Sequence, residues 1–248
     1  MSEPDLSVVI PAYNEAGRLP RTLERVNAFL RGFGASHEVL VADDGSADDT
    51  ARVAREAGAT VLRDERNHGK GHAVRRGMLA ARGRRRLMTD ADLSTPIEEL
   101  PRMLERMDQG FDVVIASRAL PGSRIEVHQP WFRENMGRVY NLFVRALAVP
   151  GLHDTQCGFK LWSAPAARDA FAAARLDGFS FDVETLYLAR KRGHRIAEVP
   201  VVWRNDAATR VGLGGGSQAF PDLLRIRWYD WTGRYDGGGG DAGPGKAL

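Results

Sequence analysis

The first half of the chain alternates short apolar runs with amphipathic stretches. Leu6–Ala12 is a β-branched run that contains Pro11, and it predicts a buried strand. Apolar Leu19, Leu23, Val26 and Leu30 recur at spacings of three and four, which predicts a helix over 15–31. Strands follow at 38–42, 59–62, 86–89 and 112–116, with helices at 49–57, 70–82 and 97–108. Asp43-Asp44-Gly45-Ser46 breaks the second strand, and Asp48 or Asp49 suits the cap of the next helix. This alternation predicts an α/β fold with a mainly parallel central sheet flanked by helices.

The second half is less regular. Helix-like stretches fall at 131–149, 165–174 and 179–192, strands at 155–162 and 195–203, and an aromatic and aliphatic segment at 219–231. A Gly-rich tail that includes Gly237-Gly238-Gly239-Gly240 reads as disordered. The organisation is one domain over 1–234, with a nucleotide-binding half at about 6–118, an acceptor half at about 119–234, and the tail at 235–248.

Composition narrows the chemistry. The 248 residues suffice for a substantial core, and 43% hydrophobic with 27% charged is ordinary for a globular chain. A net charge of +3 does not call for nucleic acid, while a pI of about 9.2 suits anionic ligands. The lone cysteine, Cys157, excludes an internal disulfide, fits a reducing compartment, and reads as a structural thiol. The acidic N-terminus does not look like a signal peptide, and no run approaches the ~20 apolar residues of a membrane span, so the expectation is a cytoplasmic protein.

In open parallel sheets ligands sit at the carboxyl ends of strands. Tyr13-Asn14-Glu15, Asp43-Asp44 and Asp90-Ala91-Asp92 each follow a predicted strand, so they converge on one edge. Asp90 and Asp92, hard oxygen ligands flanking Ala91, suit one Mg²⁺ or Mn²⁺; alone, the pair more often reads as a solvated acidic turn or a helix N-terminal cap near Ser94-Thr95-Pro96. Asp43-Asp44-Gly45-Ser46 is either a turn or a carboxylate site for a nucleoside. Asn67-His68-Gly69-Lys70-Gly71 opens a helix, so its N–H groups and Lys70 suit phosphate, although neither P-loop nor G-x-G-x-x-G spacing is present. His68 and His72 lack the further ligands of a zinc site.

In this order and spacing, Ile10-Pro11-Ala12-Tyr13-Asn14-Glu15, Asp43-Asp44-Gly45-Ser46, the Gly-rich loop and Asp90-Ala91-Asp92 resemble the family 2 glycosyltransferases of GT-A fold. Residues 154–160 and 179–184 are similar to the dolichyl-phosphate β-glucosyltransferase branch. The resemblance implies that Pro11, Tyr13, Glu15, Asp43 and Asp44 bind the nucleoside. It assigns Asp90 and Asp92 to metal and diphosphate, with Asp92 catalytic, and turns Arg118, Arg204 and Arg210 toward the phosphates. It also implies inverting transfer of a hexose, glucose above others, from a uridine diphosphate sugar to a polyprenyl phosphate. Ser94 stands where mannose synthases carry Gln, which speaks against a guanosine diphosphate mannose enzyme. A soluble acceptor, or a nucleotide-sugar-binding protein without activity, are the other readings.

Asp182 is either a general base, should the acceptor be an alcohol, or a capping or salt-bridging carboxylate. Trp131, Phe132, Val139, Phe143 and Leu147 with Arg133, Arg138 and Arg145 read as an interfacial helix or as core packing. In the first case Arg133 and Arg138 meet the acceptor phosphate. Phe220, Leu223, Leu224, Ile226, Trp228 and Trp231 suggest a second such helix on a peripheral membrane protein.

Overall fold

The computed structural model describes residues 3–127, 140–204 and 218–236. Its main sheet has seven strands in the order β3-β2-β1-β4-β7-β5-β8. These are β1 Leu6–Ala12, β2 His37–Asp43, β3 Thr60–Arg63, β4 Arg85–Thr89, β5 Val113–Ser117, β7 Phe159–Ser163 and β8 Ile196–Pro200. All neighbours pair in parallel except β7, which runs antiparallel between β4 and β5. A separate ribbon pairs β6 (Arg124–Val127) with β9 (Val202–Arg204).

Alternate side chains of β1 divide the core between the two faces, as the period of two requires. Leu6, Val8 and Ile10 pack with Leu19, Leu23, Val26 and Leu30 of α1 (Leu19–Phe33) and Leu100 and Met103 of α4 (Leu100–Asp108). Val9 points the other way, onto Val74 and Met78 of α3 (Lys70–Ala80). That second face also takes α6 (Ala164–Ala173), α7 (Phe181–Lys191) and the C-terminal helix α8 (Ala219–Trp231). The short α2 (Thr50–Glu56) and the helical segment at 140–147, α5, complete the described helices.

Several boundaries differ from the sequence reading. Helix α1 starts at Leu19 rather than at 15, because the backbone N–H of Glu15 is tied to Thr50 Oγ1 at 2.8 Å and Asn14 is left-handed at φ 55°. The strand read over 155–162 starts at Phe159, and the one read over 195–203 splits between two sheets. The domain also reaches beyond residue 234. Tyr235 is buried, and its hydroxyl donates to Glu184 Oε1 at 2.7 Å, so the fold extends at least to Asp236.

Candidate active site

The ends of β1, β2 and β4 open into a cleft of about 300 Å³. Pro11, Tyr13, Glu15, Asp44, Lys70, Asp90, Ala91 and Asp92, all anticipated, line it. Arg18, Asn67, Gly69, Ala73 and Phe179 line it too. Arg18 carries no motif of its own; its signal is the first-turn spacing from Glu15, whose carboxylate it meets at 3.5 Å.

Each strand-end turn is stitched to a neighbour. Asn14 N–H donates to Ser46 Oγ at 2.9 Å, and Asn14 Oδ1 accepts from Ala47 N–H at 2.9 Å. This fixes the turn that leaves the Tyr13 ring 45% exposed at the cleft, where a flat base can stack. Asp43 lies behind the cleft, fully buried, with Oδ1 accepting from Ser46 N–H at 3.0 Å and Oδ2 3.5 Å from Arg63 Nε. Asp44 is spent on the Gly-rich loop: its two oxygens accept from His68 N–H at 2.9 Å and Gly69 N–H at 2.8 Å. The N–H groups of Gly71 and His72 go to Asp177 O. The loop is therefore not a free phosphate nest, which corrects the sequence reading. The Asp44 carboxylate and the Asp177 carbonyl already take these four donors, and Lys70 carries the loop's charge.

The acidic turn is held from three sides. Thr22 Oγ1 donates to Ala91 O at 2.5 Å, Asp90 N–H donates to Gly158 O at 3.1 Å, and Ser94 N–H donates to Asp92 Oδ1 at 2.9 Å. Leu93 takes φ 46°, a strained value for its type, directly after the motif. Gly158 is required by contact: a Cβ there would lie 1.9 Å from Asp90 Oδ2. Lys70 Nζ sits 2.7 Å from Asp90 Oδ1. Burial and then the charge of Asp90 push the Asp92 carboxyl above its ordinary range. Burial pulls the Lys70 ammonium down, and the charges of Asp90, Asp182 and Asp92 outweigh it, leaving it raised.

Two crowded carboxylates with one lysine form a hard-oxygen site with an excess of negative charge. That donor set fits Mg²⁺ or Mn²⁺. No cluster of three His, Cys, Asp or Glu side chains suited to a metal occurs among the described residues.

Besides Asp43, three expected residues stand outside the lining. Arg118 is outside the lining, because Asp154 takes its guanidinium in a two-point pair at 2.6 and 2.8 Å and Trp203 packs against it at 5.3 Å. Arg204 pairs with Glu126 across the β6–β9 ribbon. Asp182 is 4% exposed, lies outside the lining and receives Lys160 Nζ at 2.5 Å. Burial still outweighs Lys160 and Lys70 and holds its carboxyl above the ordinary range. Arg133, Arg138 and Arg210 lie outside the described residues. Buried Cys157 meets Thr95 Oγ1 at 3.4 Å, and burial raises its thiol to about 11, as suits a structural thiol.

The model of glycosyl transferase family 2 matches residues 7–162. The chain belongs to that family. Among curated relatives, the dolichyl-phosphate beta-glucosyltransferase of Dictyostelium discoideum is 36% identical over 243 residues, covering 90% of this chain and 74% of that protein. The Homo sapiens protein of the same name is 33% identical over 249 residues, covering 93% of this chain and 77% of its own. The family and these relatives make the chain a glycosyltransferase. Among solved structures, glucosyl-3-phosphoglycerate synthase from Mycobacterium tuberculosis, in complex with Mn²⁺, uridine-diphosphate and glucosyl-3-phosphoglycerate, aligns with TM-score 0.67 and 20% identity. That alignment covers 90% of this chain and 80% of that one. Mannosyl-3-phosphoglycerate synthase from Rubrobacter xylanophilus aligns with TM-score 0.70 and 22% identity, over 93% of this chain and 75% of that one. At that identity the likeness concerns the fold, which is GT-A.

Proposed function

We propose that this glycosyltransferase moves glucose from uridine diphosphate glucose to a polyprenyl phosphate, with inversion at the anomeric carbon. The observation that carries the reading is the cleft in which Asp90, Asp92 and Lys70 face the exposed ring of Tyr13. The relatives named dolichyl-phosphate beta-glucosyltransferase support the sugar and the acceptor.

In this reading Tyr13 stacks on the base, and Pro11, Glu15 and Arg18 border the nucleoside. Asp90 and Asp92 would hold Mg²⁺ or Mn²⁺, which when bound neutralises charge on the departing diphosphate. An acceptor phosphate oxygen attacks the anomeric carbon as the bond to the diphosphate breaks, and the electron pair leaves with the nucleoside diphosphate. A phosphate monoester is largely ionised at neutral pH, with a second pKa near ~6, so no side chain has to remove a proton. Asp182, locked to Lys160, is then a buried salt-bridging carboxylate rather than the base.

A lipid acceptor needs an apolar surface, and the molecule exposes one. Phe220, Leu224, Trp228 and Trp231 form one stripe along α8, exposed by 45%, 64%, 45% and 86%. Phe143 of α5 meets Phe220 edge-on at 5.3 Å, and Tyr140 does so at 5.5 Å. No helix among the described residues is long and apolar enough to cross a membrane. The stripe therefore suits a peripheral position on a membrane, which we assign to the cytoplasmic face.

A donor screen tests this reading. Uridine diphosphate glucose with dolichyl phosphate in liposomes should release uridine diphosphate faster than any other donor–acceptor pair. Preferential use of guanosine diphosphate mannose would overturn the donor, and equal rates on a water-soluble alcohol would overturn the acceptor.

A further inference from the structure

Lys70 occupies an unusual place for a residue assigned to the donor phosphates. Its ammonium rests 2.7 Å from Asp90 Oδ1, one of the oxygens that would hold the cation. Among the described residues, the charges around it include the carboxylates of Asp90, Asp92 and Asp182, the ammonium of Lys160 and, acting on Asp90, the guanidinium of Arg118. Lys160 cannot answer a change in that balance. It is 1% exposed, and its Nζ is bound both to Asp182 Oδ1 at 2.5 Å and to Cys157 O at 2.6 Å. Lys70 can, because its side chain is 25% exposed, lines the open cleft and has a flexible four-carbon stem. Arg18, the other cation of the lining, sits against Glu15 instead.

We propose that Lys70 is a resident stand-in for the divalent cation, holding the Asp90 carboxylate in place until the metal displaces it toward the donor diphosphate. The proposal rests on the metal reading above and goes beyond it in one respect. A divalent ion and an ammonium repel each other at contact distance, so the metal must evict Lys70 from Asp90. With no donor in the cleft the evicted ammonium loses its partner, and metal binding is weak. With a diphosphate present the ammonium gains a new anion, and metal binding is strong. Lys70 thus couples the two ligands, and by linkage the metal strengthens nucleotide binding by the same factor.

Two measurements on the whole chain test this. In the first, Mn²⁺ binding is titrated with and without uridine diphosphate for the wild type, Lys70→Met and Lys70→Arg. Lys70→Met should bind Mn²⁺ alone about fivefold or more tighter than the wild type, and uridine diphosphate should then add less. Lys70→Arg keeps a cation and should stay close to the wild type. The second measurement needs no removal of the side chain. The chain has four lysines, Lys70, Lys160, Lys191 and Lys246, so ¹³C reductive methylation yields few signals. The Lys70 signal, identified by its loss in Lys70→Arg, should shift as Mg²⁺ is added without nucleotide.

Mn²⁺ affinity in Lys70→Met that equals or falls below the wild type, or a Lys70 signal unmoved by saturating Mg²⁺, overturns the stand-in role while leaving the metal site intact. Absence of Mn²⁺ binding in the wild type even with uridine diphosphate overturns the metal reading, and the stand-in role with it.

Discussion

The half of the molecule before residue 118 and the half after it solve different problems. In the first, β1, β2 and β4 run parallel, and each delivers its polar turn to the same edge because parallel strands end together. In the second, β7 enters antiparallel between β4 and β5, bringing Gly158 and Lys160 under the acidic turn from the opposite direction. Helix α8 then adds an apolar stripe that faces away from the core. The contrast teaches that the first half lines most of the cleft with its strand-end turns, while the second braces the acidic turn and leaves an apolar stripe exposed.

The division is sharpest at Asp92. Asp92→Ala should lower turnover on the order of 10³-fold, as should chelation of the metal, with liposome binding unchanged. Residual turnover near the wild-type value in EDTA would break the assignment. Asp182→Asn tests whether the second half acts by structure. It leaves Lys160 buried without its charge partner and should cost about 3–5 kcal/mol of stability, read as a lower denaturant midpoint. An unchanged midpoint with abolished turnover would return Asp182 to the role of base.

Gly158→Ala joins the two halves at one atom. The added methyl must displace the Asp90 carboxylate, and turnover should fall roughly 10²-fold with a folded protein by circular dichroism. Full activity would mean that Asp90 need not hold its position. The double change Trp228→Ser with Trp231→Ser should weaken binding to anionic liposomes about tenfold or more, leaving nucleotide affinity intact. Loss of nucleotide affinity instead would tie the stripe to the cleft.

The smallest effect concerns pH. The folded state raises the Asp92 carboxyl above its unfolded value, so ionising it opposes folding. Asp92→Asn in metal-free buffer should therefore be more stable than the wild type above the folded pKa. The difference should vanish as pH falls below the unfolded value of about 4. Thermal melts across that range measure it.

Much of the first half was legible because local rules agree there. Apolar runs of strand length, turn residues after each, and a 3.6-residue period in α1 all point to one architecture. The second half was harder. A strand such as Phe159–Ser163 carries no mark of its direction, since a buried strand looks the same in parallel and antiparallel neighbours. The stripe on α8 showed its apolar residues but not which face the core takes; Leu223 and Ile226 are buried, while Leu224 and Trp228 are not.

The sequence by itself determined the α/β class, the converging strand-end turns and the acidic pair, because each is set by residues close together in the chain. Tertiary structure alone decided the partners of the charged groups. Asp44 closes the Gly-rich loop, Arg118 belongs to Asp154, Asp182 to Lys160, and Lys70 to Asp90. Charge has long reach but no sequence period, so which carboxylate meets which cation depends on segments that only folding brings together.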